Sequence, residues 1–105
     1  MKLKLTKTQL EGLLLIVNVG LNIEPEDIPE RLVALLMEKF ADRLTKKVKK
    51  VRTRTDQTTS MTINDQEALT LYCWYQHVSE QLRYEYAYEV MVADRLFNDI
   101  DREYA

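Results

Sequence analysis

The chain has 105 residues, enough for one domain with an ordinary core, and 46% apolar with 30% charged side chains describe a folding sequence rather than a disordered one. Fifteen basic against seventeen acidic residues leave a net charge of −2, which sets aside a generally basic, nucleic-acid-coating character. Cys73 is the only cysteine, so an internal disulfide framework is excluded, and no run approaches the roughly 20 apolar residues that span a bilayer.

The two glycines and two prolines all fall within the first 29 residues. Without strong breakers beyond Glu30, the remainder favours long helices over a many-stranded sheet, and the expected class is all-α, mainly helical. The start, Met1-Lys-Leu-Lys-Leu-Thr-Lys, is basic and precedes the apolar run Leu13 to Val17. That run is short, Asn18 and Gly20 break its continuation, and no Ala-x-Ala pattern appears, so a buried first helix in a cytoplasmic protein is expected rather than a leader.

Helix 1 is expected over about 6–21. Thr6 and Gln9 have capping-box spacing, Leu5 and Leu10 suit a hydrophobic staple, and Leu10 with Leu13 to Val17 covers most of the circumference. Gly20 or Asn22 is expected to end it in a left-handed cap. Helix 2 is expected over about 27–51, opened by Asp27 with Glu30 and with Pro29 in its first turn. Ile28, Leu32, Leu35, Leu36, Phe40, Leu44 and Val48, with Val51 as a further candidate, recur at helical spacing.

Residues 52–63 hold five threonines in twelve positions, which favours extended chain; a short hairpin turning at Asp56-Gln57 is the alternative to a plain loop. Helix 3 is expected over about 64–104. Asn64 and Glu67 form the clearest start signal in the chain, and Ala68, Leu71, Tyr75, Val78, Leu82, Tyr86, Val90, Ala93, Phe97, Ile100 and Tyr104 carry an apolar stripe. Its steps of four, four and four between Val78 and Val90 form a stutter.

These elements make a three-helix antiparallel arrangement in a single domain, residues 1–105. A helix of about 40 residues would span about 60 Å, against about 36 Å for helix 2. It would therefore overhang its neighbours and leave Val90, Ala93, Phe97 and Ile100 in need of cover, which a second copy supplies. The competing expectation is a break near residues 80–88, giving a compact four-helix monomer.

Charge is unevenly placed. Residues 1–54 carry twelve basic and seven acidic side chains, and residues 55–105 carry three basic and ten acidic. The antiparallel arrangement would gather Lys2, Lys4 and Lys7 with Lys46 to Arg54 at one pole, and Glu24 to Glu30 with Asp99, Asp101 and Glu103 at the other.

Three constellations bear on function. Trp74, Tyr84, Tyr88, Val90 and Phe97 form the candidate interaction surface, since exposed aromatic side chains anchor interfaces. Lys46, Lys47, Lys49, Lys50, Arg52 and Arg54 form a basic patch dense enough for phosphate contacts, although no nucleic-acid-binding motif accompanies it. Cys73 and His77 are one helical turn apart, but a lone cysteine between Tyr72 and Trp74 reads as a small buried residue. A single histidine makes a metal site improbable, and no phosphate loop or nucleophile elbow is present. No cofactor, metal or small-molecule substrate is inferred. The expectation is a non-enzymatic helical interaction or assembly protein that self-associates or binds another protein. The alternative is a small nucleic-acid-binding regulator, with an enzyme as the residual reading.

Overall fold

The computed structural model describes residues 1–51 and 58–105. These form, in chain order, β1 (Lys2–Leu5), α1 (Lys7–Gly20), α2 (Ile28–Val51), β2 (Thr59–Thr62), α3 (Asp65–Leu82) and α4 (Ala87–Tyr104). The mainly helical class is as expected. Among the described residues there are four helices and not three, packed in a ring in which α1 touches α2 and α4 while α3 touches α2 and α4.

Local chemistry starts α1, α2 and α3 where the sequence places their caps. The Gln9 backbone N–H donates to Thr6 Oγ1 at 3.2 Å, and the Thr6 N–H donates to Gln9 Oε1 at 3.0 Å. The Glu67 N–H donates to Asn64 Oδ1 at 2.8 Å, and the Asn64 N–H donates back to Glu67 Oε1 at 3.0 Å. Ahead of α2, the Glu30 N–H donates to Asp27 Oδ1 at 2.9 Å, and Glu30 Oε2 accepts from the Glu26 N–H. Each arrangement satisfies amide donors that a helix start leaves open.

The expected continuous helix over 64–104 is interrupted. Residues 83–86 form a turn, closed by the Tyr86 N–H donating to the Leu82 carbonyl at 3.0 Å, and α4 folds back along α3. Tertiary packing supplies the reason, and the stutter marks it. Each four-residue step advances the stripe 40° beyond a full turn, so a straight helix would carry Val90 about 120° away from Val78. Folding back restores both halves to one core, where Val78, Leu82, Val90, Ala93 and Ile100 are all buried. The Tyr75 hydroxyl fastens the two helices, donating to the Asp94 carboxylate beside the Val90 carbonyl oxygen. The radius of gyration, 13.1 Å, is that of a closed body of this length.

Within the described residues the extended segment forms β2. β2 pairs antiparallel with β1, with Lys2 opposite Thr62 and Leu5 opposite Thr59. Beyond the strands, the Ile63 N–H donates to the Met1 carbonyl at 2.9 Å, and the amino terminus donates to the Ile63 carbonyl at 3.0 Å. The alternation in Lys-Leu-Lys-Leu puts Leu3 and Leu5 in the core and both lysines outside, as a half-buried strand requires. The expected turn at Asp56-Gln57 lies outside the described residues, as do Arg52 and Arg54.

Gly20 stands at the end of α1 without a left-handed cap. No described residue has a positive φ. A Cβ on Gly20 would stand 2.2 Å from Cζ2 of Trp74, so the glycine is the space into which the indole packs.

Candidate interaction surface

Helix α2 divides into two unlike parts. Met37, Phe40, Ala41, Leu44 and Val51 are buried, and all lie in its carboxyl-terminal fifteen residues. Between Ile28 and Leu36 no residue is fully buried. Ile28 is 82% exposed, Leu32 58% and Leu35 54%. At 100° per residue these three share one face, opposite the face of Met37 and Leu44. The apolar positions of helix 2 therefore divide: Ile28, Leu32 and Leu35 form an outward stripe, whereas Phe40 and Leu44 belong to the core. Continued along the helix, the outward seam runs through Lys39, Asp42, Lys46 and Lys49. Its 4-3 spacing is that of a coiled-coil seam, apolar for two turns and charged afterwards.

Beneath the inner face of the same end lies a pocket of about 440 Å³, walled by Ile23, Pro29, Val33 and Trp74. The Glu30 carboxylate crosses from α2 to α3 there, with Oε1 at 3.1 Å from His77 Nδ1. His77 Nε2 is enclosed by protein atoms and has no hydrogen-bond partner among the described residues. Cys73 also lines this pocket; it is exposed, not the buried small residue expected, and it makes no hydrogen bond to His77. The neighbours His77 and Glu30 hold each other, and no thiol–imidazole pair is formed.

The residues singled out in the third expected helix separate. Trp74 and Val90 are buried in the core and so do not form an interaction surface. Phe97 is half-buried, stacked on Tyr72 within the same chain at a centroid distance of 4.2 Å. Tyr84, 94% exposed in the turn, and Tyr88, about half exposed at the start of α4, do face solvent, as does Met91. The outward stripe of α2 is present in the sequence as its 28, 32, 35 spacing, where periodicity alone merges it with the core stripe.

The basic residues make a distinct feature. A groove of about 310 Å³ between α2 and β2 is walled by Arg43, Lys46, Lys47, Lys50, Ser60 and Thr62. Arg43 is committed, its guanidinium donating to the Glu67 carboxylate and, at 3.0 Å, to the Thr62 carbonyl. The lysines of the groove make no ion pair among the described residues. Lys2 and Lys4 project from the outer face of the same sheet.

The acidic pole does not form as expected, because the reversal at residues 83–86 returns the end of α4 to the start of α3. Tyr104 donates to Asp65 at 2.7 Å and Tyr72 to Asp101 at 3.2 Å, so Asp99, Asp101 and Glu103 lie at the end of the molecule that β2 and the basic groove also occupy. These tyrosines are held protonated. Tyr104 is pushed up to about 12 by its hydrogen bond to Asp65, Tyr72 is raised by desolvation and by Asp101, and Tyr75 is raised by burial and then by Asp94.

Among the described residues no cluster of three or more potential ligands could hold a metal ion, and no helix is long and apolar enough to cross a membrane. Neither protein-family models, curated proteins nor solved structures match the chain.

Proposed function

We propose that this is a non-enzymatic helical interaction and assembly protein whose contact surface is the amino-terminal third of α2. The observation that carries the reading is the outward stripe of Ile28, Leu32 and Leu35. Isolated exposed leucines are ordinary, but three at consecutive turns of one helix face make a contiguous apolar strip of the kind that marks protein contact sites. Covering each would contribute ~1.5–3 kcal/mol before the costs of association. The strip is also set on a rigid helix whose other end is anchored in the core, so little ordering accompanies binding.

Photo-crosslinking tests this. A photoreactive side chain at position 32 should trap a defined protein, its own chain included, while the same group at the exposed Arg102 traps none. Equal, non-selective capture from both positions would remove the reading.

The groove between α2 and β2 favours a second reading, a nucleic-acid-binding regulator. The sheet adds Lys2 and Lys4 to the vicinity of Lys46, Lys47 and Lys50, and Ser60 and Thr62 supply hydroxyl groups. Phosphate binding of this kind weakens steeply with salt. Titration of DNA and RNA from low to physiological salt decides it: absence of binding at low salt removes the reading, and unchanged binding after Lys46→Ala with Lys50→Ala moves the site elsewhere.

A further inference from the structure

We infer that the partner of the α2 stripe is a second copy of this chain, docked antiparallel about a two-fold axis passing near Leu32. This rests on the reading of the stripe as a contact surface and adds the occupant and its register.

The charge order along the helix selects the arrangement. Immediately before the stripe the chain presents three acids and no base, Glu24, Glu26 and Asp27. Immediately after it the same face presents Lys39 and, further on, Lys46, with Asp42 between them. Parallel pairing would set acid on acid and Lys39 on Lys39. Antiparallel pairing centred on Leu32 sets Ile28 against Leu35 of the second copy and brings the Glu24–Asp27 segment of each chain to Lys39 of the other. One patch that complements itself in this way is what a two-fold interface requires.

The geometry of the monomer permits it. The stripe points away from the core face of α2 and lies toward one end of that helix. The two bodies then extend in opposite directions from the contact. Two helical turns form a small interface, so the dimer should be weak and concentration-dependent rather than obligate.

The register gives a sharp test. In a Cys73→Ser background, Leu32→Cys should form a disulfide with its own copy under mild oxidation, because residue 32 faces itself across the axis. Ile28→Cys should not, since the two copies of residue 28 lie about 12 Å apart along the seam, beyond disulfide reach. Mixed with Leu35→Cys, it should link to that chain. Efficient self-linking of Ile28→Cys, or none of Leu32→Cys, overturns the proposed dimer. If Leu32→Cys fails to link while the photoreactive group at position 32 still traps one defined foreign protein, the dimer is wrong and the contact surface stands. If both fail, both are wrong.

Discussion

The two parts of α2 share a helix, a cap and an apolar periodicity, yet one is core and the other faces water. Met37, Phe40 and Leu44 are covered by α1 and α3, whereas Ile28, Leu32 and Leu35 stay largely open to solvent. Periodicity reports that a helix face is apolar. It does not report whether the partner of that face is intramolecular. The stripe is open because Ile28, Leu32 and Leu35 lie on the face of α2 turned away from Met37 and Leu44, while the inner face of the same end meets α3 through Glu30 and His77.

The largest expected contrast is in folding stability. Leu44→Ala, in the fully buried part, should cost ~2–5 kcal/mol through lost transfer energy and the cavity left behind. Leu32→Ala and Leu35→Ala, in dilute protein, should stay within about 0.5 kcal/mol of the parent. Urea unfolding of the three variants checks this, and equal losses would erase the distinction between the two parts.

Gly20→Ala sharpens the boundary between them. Its Cβ would drive into the Trp74 indole, which walls the pocket under the outer part, and overpacking of this kind costs ~1–3 kcal/mol. Trp74 is the only tryptophan, so its fluorescence reports the displacement directly. An unshifted emission with unchanged stability would mean that the indole is not held as described.

Caps should divide the same way. Asn64→Ala removes the acceptor at the start of a helix anchored throughout, and should lower global stability by about 1 kcal/mol. Asp27→Ala removes the corresponding acceptor from the outer part of α2. It should fray that end, seen as faster amide exchange over residues 28–32, with a smaller change in the global midpoint.

A smaller effect is expected at high pH. Tyr72, Tyr75 and Tyr104 all have pKa values raised above the ordinary value near 10 in the folded protein. The folded state therefore holds their protons more tightly than the unfolded state. Their contribution is fully present below pH 10 and declines as pH rises through the folded value, about 12 for Tyr104. Tyr104→Phe should flatten part of this alkaline decline. Leu32→Glu, remote from all three, should leave it unaltered in dilute protein.

Much of the fold is legible in the sequence, and the remainder is hidden for physical reasons. Thr6 with Gln9, Asp27 with Glu30, and Asn64 with Glu67 mark three helix starts, because capping chemistry is local. The break at residues 83–86 carries no glycine or proline; it arises from tertiary packing, and only the stutter hints at it. β1 is hidden because Lys-Leu-Lys-Leu is four residues long and its partner lies more than fifty residues away. Of the interaction surface expected in the third helix, Tyr84 and Tyr88 are outside while Trp74 and Val90 are core. Folding α4 back onto α3 covers the stripe that a straight helix would have exposed.

Sedimentation equilibrium of the wild-type chain beside Leu32→Glu, both verified as folded, tests whether the α2 stripe joins two copies. The apparent mass of the wild type should rise with concentration from 12.4 kDa toward twice that value, while the variant stays at 12.4 kDa throughout. A wild-type chain that remains at the monomer mass, or a Leu32→Glu chain that associates equally well, would contradict it.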